Sequence, residues 1–521
     1  MKQIFKISFA LALVLGFSSC DMNLRPYSVI DPDNALESYA DAQKLANGFN
    51  NQIRSLAVGS KIYGPELQSD LFHAVADFGN RGGDLYRWEF DASNGYPESL
   101  WASCYAAIAN ANFFLQKAQS VYDRVEADED FAATWTEKQL EGLKGYESVA
   151  YFLRAYSYSF LLDRFCPAYS DATANTPELG VPIVTVYEPT SDKEKYPARS
   201  TMKETYAQIL ADLELAEENI DAVYTNAAGS NYVTSDAVKA LRARVALACK
   251  DYELAIEDAT AVINSGTYTL VSGVDALNKL WVNDDQKSEC IMQCFVSLPS
   301  EKPGTNNYGY IGYNAQKDFY APDYIPEKWL VDLYSDNDYR KAVYFKQTPI
   351  TLSSGTTDPL YIFYKFIGNP ALMTGPTDYS YLSAPKPFRL AELYLIAAEA
   401  YLNSGIANGV QMASDLMNEL QSKRIADWKT VSYTASTLPA EIQNERVREL
   451  VGEGFRLSDL KRYGKGITRT ASQNNHVISQ PGGNTTEFLS KGTDDHRFVW
   501  PIPTAETDAN PKCKQNNGYT K

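Results

Sequence analysis

Residues 234–268, TSDAVKALRARVALACKDYELAIEDATAVINSGTY, place the tightest limit on what this chain can fold into. Val238, Leu241, Val245 and Ala248 recur at helical spacing, and after a Lys-Asp turn so do Tyr252, Ala255, Ile256, Ala259 and Ile263. Each set forms one apolar stripe on a helix. Small residues at the crossing let the two helices approach closely, and Gly266 sits where a left-handed stop is needed. Such a pair leaves apolar surface on both outer sides. It therefore requires neighbours of the same kind, and a stack of helix pairs is the expected solution.

The rest of the chain supplies those neighbours. Paired helices of this size are similar to tetratricopeptide repeats. One stripe runs through Trp101, Tyr105, Ile108, Asn112 and Leu115. Another runs through Val149, Phe152, Leu153, Tyr156 and Phe160, on a helix apolar nearly all round and so expected at the centre. Thr201 and Glu204 have capping-box spacing at the head of a helix over 201–220. Further helices are predicted at about 388–404, 409–425 and 440–463, with Pro439 near a first helical position and Gly405 and Gly464 at the ends. The fold class is thus mainly α, with a helical scaffold at about 36–57, 97–165, 200–268 and 388–463. The intervals at about 58–96 and 270–387 are long and rich in Gly, Pro, Tyr and Asn, with too many aromatic residues for disorder. Long loops with apolar content of their own are where function is expected. Scaffold and loops are read as one composite domain over 20–521.

Composition narrows the chemistry. With 45% hydrophobic residues the chain can bury a large core, and a net charge of −17 disfavours nucleic acid or anionic lipid as a partner. His73, His476 and His496 are the only histidines, and none pairs at metal-ligand spacing. There is no Gly-x-Ser-x-Gly elbow, phosphate-cradling glycine loop or His-Glu-x-x-His, so neither an enzyme nor a cofactor or metal site is expected. Cys104, Cys166 and Cys249 lie in or beside apolar helical sequence, and Cys290 and Cys294 lack the spacing of a redox pair, so no disulfide is assigned.

Two C-terminal segments are more specific. In 388–405 stand Arg389, Glu392, Tyr394 and Glu399; in 444–464 stand Glu445, Arg446, Glu449, Glu453, Gly454, Arg456, Asp459 and Arg462. A closing segment carries Pro501, Ile502, Pro503, Glu506, Asn510, Pro511, Gln515, Asn516, Gly518 and Tyr519. On these motifs the chain resembles the SusD/RagB family of Bacteroidetes surface lipoproteins. At the other end, Lys2 and Lys6 precede an apolar run from Ile7 to Phe17 and the sequence Ser18-Ser19-Cys20, the build of a lipoprotein leader. Residues 1–19 are read as a signal peptide and Cys20 as the acylated first residue, which anchors the chain to a membrane surface.

The resemblance implies a cell-surface, outer-membrane, non-catalytic protein that binds oligosaccharide or polysaccharide. It also implies delivery to a SusC-like TonB-dependent transporter. A RagB-like peptide binder and a helical scaffold for another protein are the alternatives. The Glu/Arg cluster from Glu445 to Arg462 is read as fixing the register of packed helices, because fork-shaped guanidinium groups bond carboxylates in two places. Ligand contact is expected instead from loop aromatics and their polar neighbours. The chain has 36 tyrosines and seven tryptophans, and sugar rings present apolar C–H faces with hydroxyls at the rim. The expected contact residues are Arg81, Asp84, Tyr86 and Trp88 in one loop, Trp281 and Asn283 in a second, and Tyr308, Tyr310, Tyr313, Tyr320 and Trp329 in a third.

Overall fold

The computed structural model describes residues 35–298, 300–305, 308–375, 381–469, 472–478 and 489–520. The leader and Cys20 lie outside the described residues.

Helix α1 (Tyr39–Leu56) is capped by Ser38, and α2 (Ser60–Gln68) follows after Gly59 at φ +71°. Two long helices come next, α3 (Gly95–Ala127) and α4 (Glu137–Phe165). A complete capping box from Thr136 and Gln139 starts α4, and residues all around it are buried, as its sequence demands. The same device, from Thr201 and Glu204, starts α5 (Met202–Asn219). The helix pair at 234–268 forms as α6 (Ser235–Ala248) and α7 (Tyr252–Ile263). After the loop region come α8 (Leu390–Asn403), α9 (Gly409–Arg424), α10 (Leu438–Leu450) and α11 (Arg456–Arg462). Successive helices pack on one another from α3 through α9, and α1 lies across α4. One continuous apolar core results, from Phe49 on α1 to Leu457 on α11.

Among its described residues the loop region carries short helices and short strands, each strand paired antiparallel with one partner. In it, β1 (Phe72–Ala74) joins β5 (Tyr324–Pro326), β3 (Tyr313–Asn314) joins β4 (Phe319–Tyr320), and β6 (Phe345–Thr348) joins β7 (Leu360–Phe363). A second core, centred on Phe72, Trp281, Tyr310, Tyr324 and Phe363, holds this half together. It meets the scaffold where β2 (Cys290–Met292) pairs with β8 (Phe388–Arg389), the strand that leads into α8.

One helix expected from sequence is two. The segment read as 440–463 breaks at Val451–Phe455, where Gly452 (φ +80°) and Gly454 (φ +90°) turn the chain. The break is fixed from far away in sequence. The Glu66 carboxylate on α2 accepts hydrogen bonds from the backbone N–H of Gly454 (2.7 Å) and Gly452 (3.3 Å). Its neighbour Asp70 accepts two bonds of 2.8 Å from the Arg456 guanidinium. Burial pushes the Glu66 carboxyl up to about 7, against the pull of those backbone amides and of Lys365.

The glutamates and arginines of the C-terminal motifs are internal, as their reading as register-setting pairs requires. Arg446 bonds Asp459 at 2.8 and 3.0 Å, and Arg462 bonds Asp459 and Glu399. Glu449 receives Arg340 (3.0 Å), Arg389 (3.0 Å) and Arg424 (2.9 Å), and all four side chains are fully buried. The closing segment lies against the end of α4: Trp500 and Ile502 are buried, and Asn516 donates to the carbonyls of Phe165 and Trp500.

Candidate functional site

One part of the loop half is organised by Asp323, just before β5, and Tyr324, the first residue of β5. The Asp323 carboxylate accepts the backbone N–H of Gly79 (2.7 Å) and pairs with the Arg81 guanidinium (2.7 Å). Tyr324 donates its hydroxyl to the carbonyl of Arg81 at 2.7 Å. These bonds strap the Gly-rich turn at 76–82 onto the strand pair and leave Arg81 exposed, with half-buried Phe78 6.0 Å from the Tyr324 ring. Burial raises the Asp323 carboxyl, and Gly79 and Arg81 oppose that shift.

Tyr320 ends three residues before Asp323, about 10 Å along an extended chain. The β3–β4 hairpin there pairs Tyr313 with Tyr320, ring centroids 4.8 Å apart. Asn314 accepts the N–H groups of Gln316 and Lys317, which shapes the tip, and Tyr313 donates its hydroxyl to Asp318 (2.8 Å). Lys346, half-buried on β6 and paired in register with Ile362 of β7, donates to the Tyr320 hydroxyl at 2.7 Å. Its ammonium lies 4.7 Å from the Tyr320 centroid and 5.2 Å from that of Tyr364. Half-buried Phe78 and exposed Arg81 at one end of the segment 313–324, and half-buried Tyr313 and Tyr364 with Asp318 and Lys346 at the other, together make up the loop face. Flat apolar rings interleaved with donors and acceptors suit a ligand with alternating C–H and hydroxyl surfaces.

Four residues expected at a ligand are in the core instead. Tyr86 is fully buried under the Arg469 guanidinium, 4.1 Å from its ring, and its hydroxyl accepts the N–H of Ala74. Trp88 is fully buried edge-on to Phe498 and donates its indole N–H to Gln68 at 2.9 Å. The reason is the short helix Gly83–Arg87, which folds both side chains inward. Trp281 is enclosed by Tyr344 and Phe366, with Lys365 4.1 Å from its ring. Tyr310 packs on Phe72 and Phe363. Tyr320 is also buried, but it carries the hairpin and the Lys346 bond.

Arg81 and Tyr313 are on the face described above. Asp84 is half-buried and receives Arg87 and Asn94, and Asn283 is exposed with its carbonyl accepting from Asn369. Trp329 is half-buried, its N–H donated to the Asp70 carbonyl and its ring beneath Arg456 at 5.6 Å. The side chain of Tyr308 lies outside the described residues. Sequence reasoning missed Phe78, Asp318, Lys346 and Tyr364. Lys346 could have been found from alternation along β6, where a lysine follows a core phenylalanine.

A cavity of about 200 Å³ lies at the junction with the scaffold, lined among others by Phe160, Tyr206, Arg244, Phe455 and Lys461. Of its charged groups, Arg244 bonds Glu392 at 2.7 Å, and Lys461 donates to the backbone carbonyls of Asp163 and Cys166. Among the described residues no cluster of three metal-ligating side chains occurs, and no helix is long and apolar enough to cross a membrane.

Comparison with known proteins agrees with this architecture. Residues 344–519 match the family described as the SusD family, and residues 30–247 match one described as starch-binding associating with outer membrane. A curated relative, SusD-like protein P2 of Formosa agariphila, is 25% identical over 99% of both chains. A SusD superfamily protein of Bacteroides thetaiotaomicron superposes with a TM-score of 0.74 at 26% identity, covering 92% of this chain and 99% of its own. The surface glycan-binding protein A of Bacteroides fluxus has the same fold, with a TM-score of 0.66 at 20% identity over 92% of this chain and 99% of its own. Helical scaffold, loop half and motifs together define a mainly α, SusD-like protein. The chain belongs to the SusD/RagB family.

Proposed function

We propose that this chain is a lipid-anchored outer-membrane surface protein that binds oligosaccharide or polysaccharide on the loop face and delivers it unaltered to a SusC-like TonB-dependent transporter. The observation that carries the reading is the face itself. Phe78, Tyr313 and Tyr364 offer ring surface, while Arg81, Asp318 and Lys346 offer hydrogen bonds, on a turn, a hairpin and the β6–β7 pair braced by bonds to Asp323, Tyr324 and Tyr320. Such bracing lowers the ordering cost of binding. The description of the N-terminal family match and the name of the Bacteroides fluxus neighbour favour a glycan and the outer membrane. Acylation at Cys20 would supply the anchor.

The test is calorimetric titration of the chain with neutral plant, host and microbial polysaccharides and, in parallel, with mixed peptides. Binding of a glycan that is recovered at its original chain length supports the reading. Binding of peptides alone, or shortening of the bound sugar, refutes it.

A further inference from the structure

The cavity at the junction of scaffold and loop half shares no lining side chain with the loop face, and its walls hold donors that lack acceptors. Arg164, Arg446 and Trp281 line it, and each is at most 4% exposed. Each also keeps one N–H group with no hydrogen-bond partner among the described residues: Arg164 Nε, Arg446 Nη1 and Trp281 Nε1. Buried polar groups are nearly always bonded, so three such donors around one cavity require an explanation.

The two guanidinium groups are neighbours. Arg164, near the end of α4, donates to Ser458 Oγ (2.7 Å) and to the Gly454 carbonyl (2.9 Å). Arg446, on α10, donates from Nε and Nη2 to Asp459 (2.8 and 3.0 Å). Ser458 and Asp459 are consecutive on α11, and both line the cavity. Lys461, one turn on, holds only the backbone carbonyls of Asp163 and Cys166. The nearby acids are already engaged: Asp163 pairs with Arg164 at 2.6 Å, and Asp459 is shared by Arg446 and Arg462. Among the described residues Lys461 is left with no carboxylate at ion-pairing distance. Burial brings its ammonium down to about 8, with Asp163 opposing that fall and Arg164 adding to it.

Much of the remaining lining is apolar. The rings of Phe160, Tyr206 and Phe455 are half-buried, with Tyr169 5.4 Å from Tyr206 and the Arg244 guanidinium 5.1 Å from Phe455. A dry cavity of about 150 Å³ accepts benzene. At about 200 Å³ this one has room for one six-membered ring bearing a short acidic group.

We propose that the cavity binds a small aromatic carboxylate, of the size of benzoate, whose oxygens accept from Arg164 and Arg446 beside Lys461 while its ring lies among Phe160, Tyr206 and Phe455. A carboxylate supplies the missing acceptors and the missing negative charge together, and guanidinium groups suit its two oxygens. A neutral sugar would leave the Lys461 charge unmatched. This site is separate from the loop face, and its failure would leave the glycan reading intact.

The probes are benzoate, phenylacetate and the neutral benzyl alcohol, followed by ligand-observed NMR and by the melting temperature of the full chain. Benzoate should bind with a Kd of about 0.1–1 mM, and benzyl alcohol about tenfold more weakly or worse. Ala248→Phe fills the cavity from the end of α6 and leaves every cation in place. It should abolish benzoate binding without changing glycan binding. Lys461→Met should weaken benzoate about tenfold and leave benzyl alcohol unaffected. If Lys461→Met does not fold, Ala248→Phe and the comparison of acid with alcohol decide. Benzoate binding that survives Ala248→Phe, equal binding of acid and alcohol, or no binding of either acid below about 5 mM overturns the proposal.

Discussion

The most demanding consequence of the fold concerns Glu449. Five buried cations, Arg340, Arg389, Arg424, Arg448 and Lys365, are interleaved with five carboxylates, Glu289, Asp338, Glu445, Glu449 and Glu453. Glu449 is the hub, since three guanidinium groups bond its two oxygens. Burial alone would raise its pKa, but Arg424, Arg389 and Arg340 outweigh burial and hold it well below the ordinary carboxylate range. Glu449→Gln keeps the shape but leaves an unbalanced buried positive charge and points an amide N–H₂ at donors. Breaking a buried pair in this way costs about 3–5 kcal/mol. An unfolding entropy of about 2.1 cal/mol/K per residue gives about 1 kcal/mol/K for roughly 470 residues, so the melting temperature should fall by about 4 °C. Differential scanning calorimetry at pH 7 measures this. The drop should persist in 1 M salt, because a network shut off from solvent is poorly screened. A fall of less than 1 °C, or one that salt abolishes, would show that these charges do not hold the helices in register.

The pH response separates two kinds of buried carboxyl. Glu445, where Arg340 and Arg448 outweigh burial and bring it to about 2, adds stability that is complete above its ordinary value of 4.5 and is lost as pH falls toward 2. Glu66, raised to about 7, acts in the opposite direction: its contribution is complete below 4.5, fades between 4.5 and 7, and is constant above. Glu66→Gln should therefore flatten the stability profile between pH 4.5 and 7 by on the order of 3 kcal/mol, measured by urea unfolding at each pH. Gly452→Ala should destabilise by about 2 kcal/mol or more, since a Cβ there would sit 2.7 Å from the Phe363 ring at a φ of +80°. Trp88→Ala should lower stability by about 3–5 kcal/mol as a core truncation, whereas Tyr364→Ala should leave the melting temperature within 1 °C and weaken glycan binding about tenfold. Thermal melts and calorimetric titration of the two variants side by side check that contrast.

The scaffold was legible because its signals are local. Apolar stripes mark α6 and α7, Thr201 with Glu204 marks the start of α5, and Gly405 and Gly464 take the positive φ that ends their helices. The break between α10 and α11 was not legible, because the acceptor that stabilises it, Glu66, is 386 residues away from Gly452. The candidate face was legible only as a region. Tyr86 and Trp88 sit beside Gly82 and Gly83 in a segment that reads as a flexible display loop, yet a five-residue helix turns both into the core. Aromatic content alone does not tell which ring face another segment will cover. That depends on strand pairings such as β1 with β5, which join residues some 250 positions apart. Arg81 and Tyr313 were identified because they stand in segments rich in Gly and Tyr, whereas Lys346 and Tyr364 were missed because nothing local tells which of the neighbouring Tyr361, Phe363, Tyr364 and Phe366 rings the β6–β7 pairing buries.

The most direct measurement is the affinity of the Tyr313→Ala/Tyr364→Ala double variant for whichever neutral glycan the unaltered chain binds, taken by calorimetry on samples with matched melting temperatures. Loss of affinity by about a hundredfold with the fold intact is the expected result if the loop face is where sugar is held. Full affinity in the double variant would mean that the ligand, whatever its nature, is held elsewhere.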